Sequence, residues 1–294
     1  MDKVSVIMPC YNHANYLRES IEGILNQSYP DLELIITEDC SKDKSAEIIR
    51  EYEKKDSRVI GVYHTRNEGE GKSRNDAIAK SSGKFIAFCD SDDVWEIRKL
   101  EIQIDVLKKS KNHNVIHSDS IIIDENSTMT GERFSALFQK GMRLTGDLFT
   151  QLCMRNVINV PTVIFRRKCL SDAGGFEEDF RYLADWVYWT RVAKKNSFFY
   201  IDEPLARYRV HSQSTSRDSA GFMKCRIKGL NLILDTFPEI PERIKSMMFY
   251  SMGNQFLCLG QKDKARSCYK SSLMHHRFNI RSLGRLGVSY LHRT

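Results

Sequence analysis

The chain has 294 residues, of which 41% are hydrophobic and 28% are charged, and its formal net charge is +7. Ordinary apolar content with little glycine and proline excludes a disordered chain and a collagen-like repeat. The eight cysteines contain no Cys-x-x-Cys pair, which argues against a zinc site and a redox motif.

Apolar runs and spacings predict alternating strands and helices in the first part of the chain. Short apolar runs are typical of buried strands, and apolar residues three or four apart are typical of helices. This alternation favours an α/β fold with a mainly parallel mixed sheet and helices on both faces. The predicted strands are 4–8, 32–37, 59–63 and 85–89, and the predicted helices cover about 17–28, 44–55, 73–80 and 95–109.

After residue 115 the pattern changes to shorter strands, and beyond 222 it becomes entirely helical. We predict strands at 115–117, 121–123, 160–165 and 198–201, and a helix at 185–195. The stretch 249–273 is typical of a helix–turn–helix unit and resembles a single tetratricopeptide unit. We therefore predict a catalytic α/β domain over 1–221 and a C-terminal all-helical extension over 222–294.

No apolar run approaches the roughly 20 residues of a membrane-spanning helix. The apolar run near the N-terminus, residues 4–8, is too short for a signal peptide. We therefore expect a cytoplasmic protein.

The positive charge is concentrated in the C-terminal region. Residues 222–294 carry 13 Lys and Arg against 4 Asp and Glu, and Arg277, Arg281 and Arg285 recur every four residues. A basic amphipathic helix of this kind suits an anionic membrane surface. The alternative is a helix packed on its neighbour with a solvated charged face. No nucleic-acid-binding motif accompanies the charge, so we expect no nucleic-acid partner.

Acidic residues follow the predicted strands at the edge where parallel sheets bind ligands. Asp39 follows the second strand, and Asp90, Asp92 and Asp93 follow the fourth. Carboxylates so close together repel one another unless a cation or hydrogen-bond donors lie between them. Carboxylate oxygens suit Mg²⁺ or Mn²⁺, the metals that commonly bridge protein carboxylates to phosphates. Helix capping is the alternative role for single acids in this set.

Several separate motifs together resemble a family-2 glycosyltransferase of the nucleotide-sugar-dependent GT-A fold, which has a Rossmann-like sheet. The resemblance covers about residues 3–215. The type of family member that it indicates acts in bacterial surface-polysaccharide synthesis. The matching segments are 4–12 (VSVIMPCYN), 34–41 (LIITEDCS), 67–69 (NEG), 73–75 (SRN), 85–93 (FIAFCDSDD) and 208–211 (YRVH).

The resemblance implies a nucleotide site. Pro9 and Tyr11 would line the pocket of the nucleobase, and Asp39 would hydrogen-bond a base of the uracil type. Asp90 would contact the ribose, and Arg74 would lie near the diphosphate. The donor implied is therefore a nucleotide-sugar, with a UDP-sugar favoured.

The resemblance also implies a metal site and a catalytic carboxylate. Asp92 would hold the divalent cation, Mn²⁺ or Mg²⁺, and His211 matches a histidine that completes the metal site in some relatives. Asp185 would be the general base, although Ala184 stands where the family has a first acid. A second departure is Glu38-Asp39-Cys40, where Asp-Asp-Gly is commoner in the family.

The function implied is that of an inverting hexosyltransferase acting on a glycan or lipid-linked glycan. Asp185 takes a proton from the acceptor hydroxyl, which attacks the anomeric carbon opposite the nucleotide. Two alternatives remain open: a sugar nucleotidyltransferase, and a catalytically degenerate nucleotide-sugar-binding scaffold. A nucleotidyltransferase usually has a glycine-rich basic loop after the first strand, and residues 9–15 are neither glycine-rich nor basic.

Overall fold

The structure, a computed structural model, describes residues 2–138, 141–212 and 218–291, with side chains described as far as residue 287. Nine strands of this described chain form one mixed sheet. The strands are β1 (Val4–Cys10), β2 (Leu32–Glu38), β3 (Val59–Tyr63), β4 (Phe85–Phe88), β5 (Val94–Trp95), β6 (Val115–Ile123), β7 (Met129–Arg133), β8 (Ile164–Arg166) and β9 (Phe198–Arg209).

The strand order is β3-β2-β1-β4-β8-β6-β9-β5, and β7 pairs with β6. β1 runs parallel to β2 and β4, with Val4 opposite both Leu32 and Phe85. The carboxyl ends of these three strands therefore meet at one edge. β8 is antiparallel to β4 and β6, whereas β9 is parallel to β6.

Eleven α-helices accompany the sheet in the described chain. Seven of them precede residue 200 and four follow it. They are α1 (Ala14–Leu25), α2 (Ser45–Lys55), α3 (Glu70–Lys80), α4 (Lys99–Lys109), α5 (Phe149–Leu152), α6 (Lys168–Ala173), α7 (Ala184–Ala193), α8 (Ser219–Thr236), α9 (Glu242–Cys258), α10 (Lys262–His275) and α11 (Ile280–Leu291).

Both faces of the sheet are buried. Successive side chains of a strand point to opposite faces, and Ile7 and Ile86 belong to one hydrophobic cluster while Val6 and Ala87 belong to the other. This explains why the strands read as continuous apolar runs. The predicted α/β fold with a mixed sheet and helices on both faces is confirmed.

Several sequence-based assignments differ from the structure. Trp95 lies in β5, where it pairs with Ala206, and not in a helix. Residues 160–162 form a short 3₁₀ helix, and only 164–166 form a strand. Arg277 precedes α11, so it does not share that helix with Arg281.

The C-terminal helices continue the core of the sheet region. Ile227 and Leu230 of α8 and Met248 of α9 belong to the same buried cluster as Phe88 of β4. The boundary at 221 stays a prediction, since α8 begins at Ser219 and shares this core. Among the described helices, none combines the length and apolar content needed to cross a membrane.

Gly71 allows α3 to approach the segment that precedes α7. A Cβ at this position would overlap the backbone carbonyl of Glu177. Backbone cannot move aside as a flexible side chain can, so we expect Gly71→Ala to lower the free energy of unfolding by about 1–3 kcal/mol. Denaturant titration followed by circular dichroism measures this change.

Gly284 of α11 provides the control, because a Cβ there meets no atom within 4 Å. Alanine is favoured over glycine inside a helix by up to about 1 kcal/mol, so Gly284→Ala should not destabilise the protein. Equal unfolding midpoints for Gly71→Ala and the wild type would contradict the close packing of α3.

Candidate active site

The loops that follow β1, β2 and β4 are joined by hydrogen bonds at one edge of the sheet. The backbone N–H of Asp39 donates to the carbonyl of Cys10 at 2.9 Å, and Asn12 N–H donates to Ser41 Oγ at 3.0 Å. Cys89 N–H donates to the carbonyl of Ile7 at 3.1 Å. The strand-end residues named from the sequence are thus brought to one edge, as expected for parallel strands.

Asp39 is buried and held by three donors. The backbone N–H groups of Glu68 and Gly69 donate to its two carboxylate oxygens at 2.7 and 2.8 Å. His64 Nδ1 lies 2.7 Å from Asp39 Oδ1, and its Nε2 lies 3.0 Å from Asp76 Oδ2. His64 therefore links Asp39 to α3, a role that no sequence motif indicated.

Pro9 and Tyr11 flank the end of β1. Pro9 is half-buried within the strand, and Tyr11 follows it with 39% of its surface exposed. Tyr11 therefore presents an aromatic ring at the same edge as Asp39. Cys40, the departure from the family's glycine, has φ +59°, in the left-handed region that favours glycine.

Arg74 connects α3 to the end of β4. Its side chain is 1% exposed, and Nη2 donates to Asp90 Oδ1 at 2.7 Å and pairs with Glu70. Nε and Nη1 are buried without a hydrogen-bond partner among the described residues. The pKa of Glu70 is raised to about 7. Burial contributes most to this shift, the charges of Asp90 and Asp185 add to it, and the charge of Arg74 opposes it. Glu70 belongs to the site but was not predicted.

Asp92 lies between two histidines. His211 Nε2 donates to Asp92 Oδ2 at 3.0 Å, and His13 Nδ1 lies 4.0 Å from Asp92 Oδ1. Burial raises the pKa of the Asp92 carboxyl, but the hydrogen bond from His211 and the charge of His13 outweigh it and hold the pKa below its usual value. One ligand atom of each residue lies within 4.8 Å of the others. His13 was not predicted.

Arg209 fixes the end of β9 against the loop after β4. Its backbone N–H donates to Asp93 Oδ1 at 2.8 Å, its Nε donates to the Asp92 carbonyl at 2.7 Å, and its Nη2 donates to Glu19 Oε2 at 2.7 Å. Burial and the charges of Asp92 and Asp90 raise the pKa of Asp93 well above its usual value. Burial therefore favours the neutral form of Asp93, whereas the histidines favour the ionised form of Asp92.

Asp185 lies in the first turn of α7, within electrostatic range of Arg74 and Asp90. Asn156 Nδ2 donates to Asp185 Oδ2 at 2.8 Å. Burial raises the pKa of Asp185, while Arg74 lowers it and Asp90 raises it further. Leu183 has φ +65°, and such a conformation at a residue other than glycine is common at functional sites.

The structure thus brings together candidate site residues that lie far apart in the sequence. The charge of Arg74 acts on the carboxyl groups of both Asp185 and Asp90 and lowers the pKa of each. Asp92 contacts His211. Pro9, Tyr11 and Asp39 lie at the neighbouring strand ends. The individual roles of these eight residues stay predictions.

Comparison with known proteins agrees with this geometry. Residues 5–169 match the model of the family described as Glycosyl transferase family 2. An uncharacterized glycosyltransferase of Rickettsia bellii is 34% identical over 73% of this chain, and this chain spans only 30% of that relative. A putative teichuronic acid biosynthesis glycosyltransferase, TuaG of Bacillus subtilis, is 31% identical over 72% of this chain and 81% of its own length.

A relative of nearly equal length is WfgD of Escherichia coli. It is described as UDP-Glc:alpha-D-GlcNAc-diphosphoundecaprenol beta-1,3-glucosyltransferase and is 28% identical over 89% of this chain and 95% of its own length.

Two solved structures share the fold. TarS residues 1–349 of S. aureus in complex with UDP-GlcNAc has a TM-score of 0.70 at 16% identity, covering 98% of this chain and 90% of that one. A mannosyltransferase of Pyrobaculum calidifontis in complex with GDP-Man and Mn²⁺ has a TM-score of 0.59 at 17% identity, covering 99% and 81%. Because the family match spans more than half of the chain, the protein belongs to glycosyl transferase family 2.

Proposed function

We propose that this enzyme transfers a sugar from a UDP-sugar to a hydroxyl of a lipid-linked glycan, with inversion and with the help of Mn²⁺ or Mg²⁺. The observation that carries the proposal is the meeting of a carboxylate–histidine pair and a carboxylate pair at one edge of the sheet. Asp92 with His211 forms one half of the site. Asp90 and Asp185, both within the field of Arg74, form the other.

The residues beside Asp92 fit a divalent cation. Asp92 is ionised, and His211 offers an imidazole nitrogen 3.0 Å from it. A carboxylate and a neutral imidazole are both ligands of Mn²⁺, and Mg²⁺ accepts the carboxylate. The bound cation would supply positive charge for the diphosphate that leaves the sugar.

The nucleobase pocket supports a uridine donor. Asp39 is fixed by Glu68, Gly69 and His64, so a base that offers an N–H would meet an oriented carboxylate. Tyr11 supplies a partly exposed ring beside it. TarS was solved with UDP-GlcNAc, and the name of WfgD specifies UDP-Glc.

The acceptor proposal rests on the relatives of similar length. The name of WfgD specifies a diphosphoundecaprenol acceptor, and that of TuaG specifies teichuronic acid synthesis. We infer the same class of acceptor here, a glycan on a lipid diphosphate, and a role in surface-polysaccharide synthesis.

The mechanism assigns one proton transfer to Asp185. Its carboxylate, oriented by Asn156, accepts the proton of the acceptor hydroxyl while the oxygen attacks the anomeric carbon. The bond to the nucleoside diphosphate breaks on the opposite face, so the configuration inverts. The buried Arg74 holds Asp90 in place and keeps positive charge close to the departing diphosphate.

Two other functions fit the chain less well. A sugar nucleotidyltransferase does not agree with the family match over residues 5–169. A degenerate scaffold would not need Asp92 and Asp185 on either side of Asp90, where the charge of Asp92 raises the pKa of Asp90 and the charge of Asp90 raises the pKa of Asp185.

The C-terminal surface suits an anionic bilayer. Ser282 of α11 is buried and its Oγ lies 2.7 Å from Ser272 Oγ, so a small polar face of α11 packs on α10. Apolar side chains instead face outward, beside a segment with seven basic and no acidic residues after Asp263. The bilayer that carries the lipid-linked acceptor is the occupant we assign to this surface. The exposed apolar residues are Met274 (76%), Phe278 (82%), Ile280 (80%) and Leu283 (51%).

Asp185→Asn should lower kcat by about 10²- to 10⁴-fold, because the amide cannot accept the proton. The affinity for the sugar nucleotide should stay within about threefold of the wild type. Transfer of labelled sugar from UDP-Glc or UDP-GlcNAc to a lipid diphosphate glycan measures kcat. Asp179→Asn is the control, since Asp179 is exposed and pairs with Lys228. Equal kcat in Asp185→Asn and the wild type would disprove the assignment of the general base.

The rate should also depend on pH in the direction set by Asp185. Burial raises the pKa of this carboxyl, so its proton-accepting form is lost, as pH falls, at a higher pH than for an exposed aspartate with a pKa of about 3.9. A profile of kcat against pH should therefore show an acid limb above that value. An acid limb at or below it would contradict the burial of the base.

Membrane binding should require both charge and apolar contact. The double variant Arg277→Gln with Arg281→Gln should weaken binding to phosphatidylglycerol vesicles by about 30-fold. Each basic residue near an anionic surface contributes about 1 kcal/mol to the binding free energy, and the variant removes two. Phe278→Ser should weaken it further. Lys108→Gln with Lys111→Gln, exposed in the catalytic part, is the control. Unchanged co-sedimentation of the arginine variant, or a dimer through this surface in light scattering, would contradict the assignment.

A further inference from the structure

His13 lies beside the proposed metal residues although the sequence gives it no motif. It follows β1 and immediately precedes α1. One atom each of His13, Asp92 and His211 lie within 4.8 Å of one another. No other group of this kind is found among the residues that the structure describes.

The distances suit one shared cation. His211 Nε2 is 3.0 Å from Asp92 Oδ2, and His13 Nδ1 is 4.0 Å from Asp92 Oδ1. Ligands at about 2.1 Å from one ion stand about 3.0 Å apart when adjacent and about 4.2 Å apart when opposite. Both measured separations fall in this range, and each is measured to a different oxygen of the Asp92 carboxylate.

The three side chains differ in exposure in a way that leaves an entry path. The side chain of His211 is 2% exposed, that of Asp92 17% and that of His13 24%. A cation can therefore reach Asp92 from the side of His13.

The surrounding residues hold the two imidazoles in place. Asn12 has φ +56°, which turns the chain after β1. Ser91 Oγ lies 2.8 Å from His13 Nδ1, and a cation bound at this nitrogen would replace that contact. The ring of Tyr16 lies 6.3 Å from that of His13 and 4.9 Å from that of His211. The two histidine rings are 5.7 Å apart at an interplanar angle of 89°.

We infer that His13 is the third protein ligand of the divalent cation, and that the set of two imidazoles and one carboxylate selects Mn²⁺ over Mg²⁺. This inference rests on the proposed metal-dependent function. Imidazole suits transition metals, whereas Mg²⁺ prefers carboxylate, carbonyl and water oxygens. A site with Asp92 and one histidine would discriminate less strongly between the two ions.

The test is to measure Mn²⁺ binding in the presence of UDP. Electron paramagnetic resonance distinguishes free from bound Mn²⁺ and so measures the affinity. His13→Ala and His13→Gln should each weaken Mn²⁺ binding by at least about tenfold, since loss of outer-shell partners alone costs 10- to 100-fold. His13→Asp should narrow the gap between Mn²⁺ and Mg²⁺ affinity. His113→Ala is the matched control, because His113 Nδ1 also lies 2.8 Å from a serine hydroxyl, that of Ser110.

Electron spin echo modulation of bound Mn²⁺ gives a second measurement that reports the ligands directly. Two imidazole nitrogens should couple to Mn²⁺ in the wild type and one in His13→Gln. The role of His13 would be overturned if both His13→Ala and His13→Gln bound Mn²⁺ as tightly as the wild type, or if only one nitrogen coupled to Mn²⁺ in the wild type. Either result would leave the metal-dependent function standing. A wild-type protein that binds no Mn²⁺ with UDP would instead overturn the metal-dependent function and this inference with it.

Discussion

The cost of placing carboxylates at one edge of a buried sheet governs the structure of this site. Asp90, Asp92 and Asp93 follow one strand within four positions, and burial disfavours their charged forms. The three carboxylates have different partners. Arg74 pairs with Asp90, and His211 and His13 face Asp92. Burial favours the neutral form of Asp93. Among these three carboxyl groups, only that of Asp92 has a lowered pKa. A lowered pKa favours the ionised form, which is the form that binds a metal.

Two buried arginines join the loop after β4 to other elements of the fold. Arg74 ties α3 to the end of β4, and Arg209 ties β9 to the same loop and to Glu19 of α1. His211 is two residues beyond Arg209, so the position of its ring depends on that anchor. Three segments distant in sequence thereby converge on Asp92.

The sequence predicted the residues that follow directly from strand order. Asp39, Asp90 and Asp92 come after apolar runs, and parallel strands place such residues at one edge. His13 and Glu70 carried no such signal. The position of His13 depends on the turn at Asn12 and on Ser91, a contact 78 residues away in the chain.

Tertiary pairing also explains the errors in element boundaries. β9 was predicted as 198–201 because Asp202, Glu203 and Pro204 interrupt the apolar pattern. The strand continues to Arg209 because it pairs with β6, with register shifts on either side of Asp119. A bulge of this kind absorbs the proline without ending the strand. The extension matters for function, since it carries the chain to His211.

The central claim is that Asp92 holds a divalent cation needed for binding of the UDP part of the donor. Calorimetric titration of UDP with and without Mn²⁺, on the wild type and on Asp92→Ala, tests it most directly. The account predicts binding that requires Mn²⁺ in the wild type and is lost in Asp92→Ala. Binding of UDP that is equally strong without Mn²⁺, or unchanged in Asp92→Ala, would contradict it.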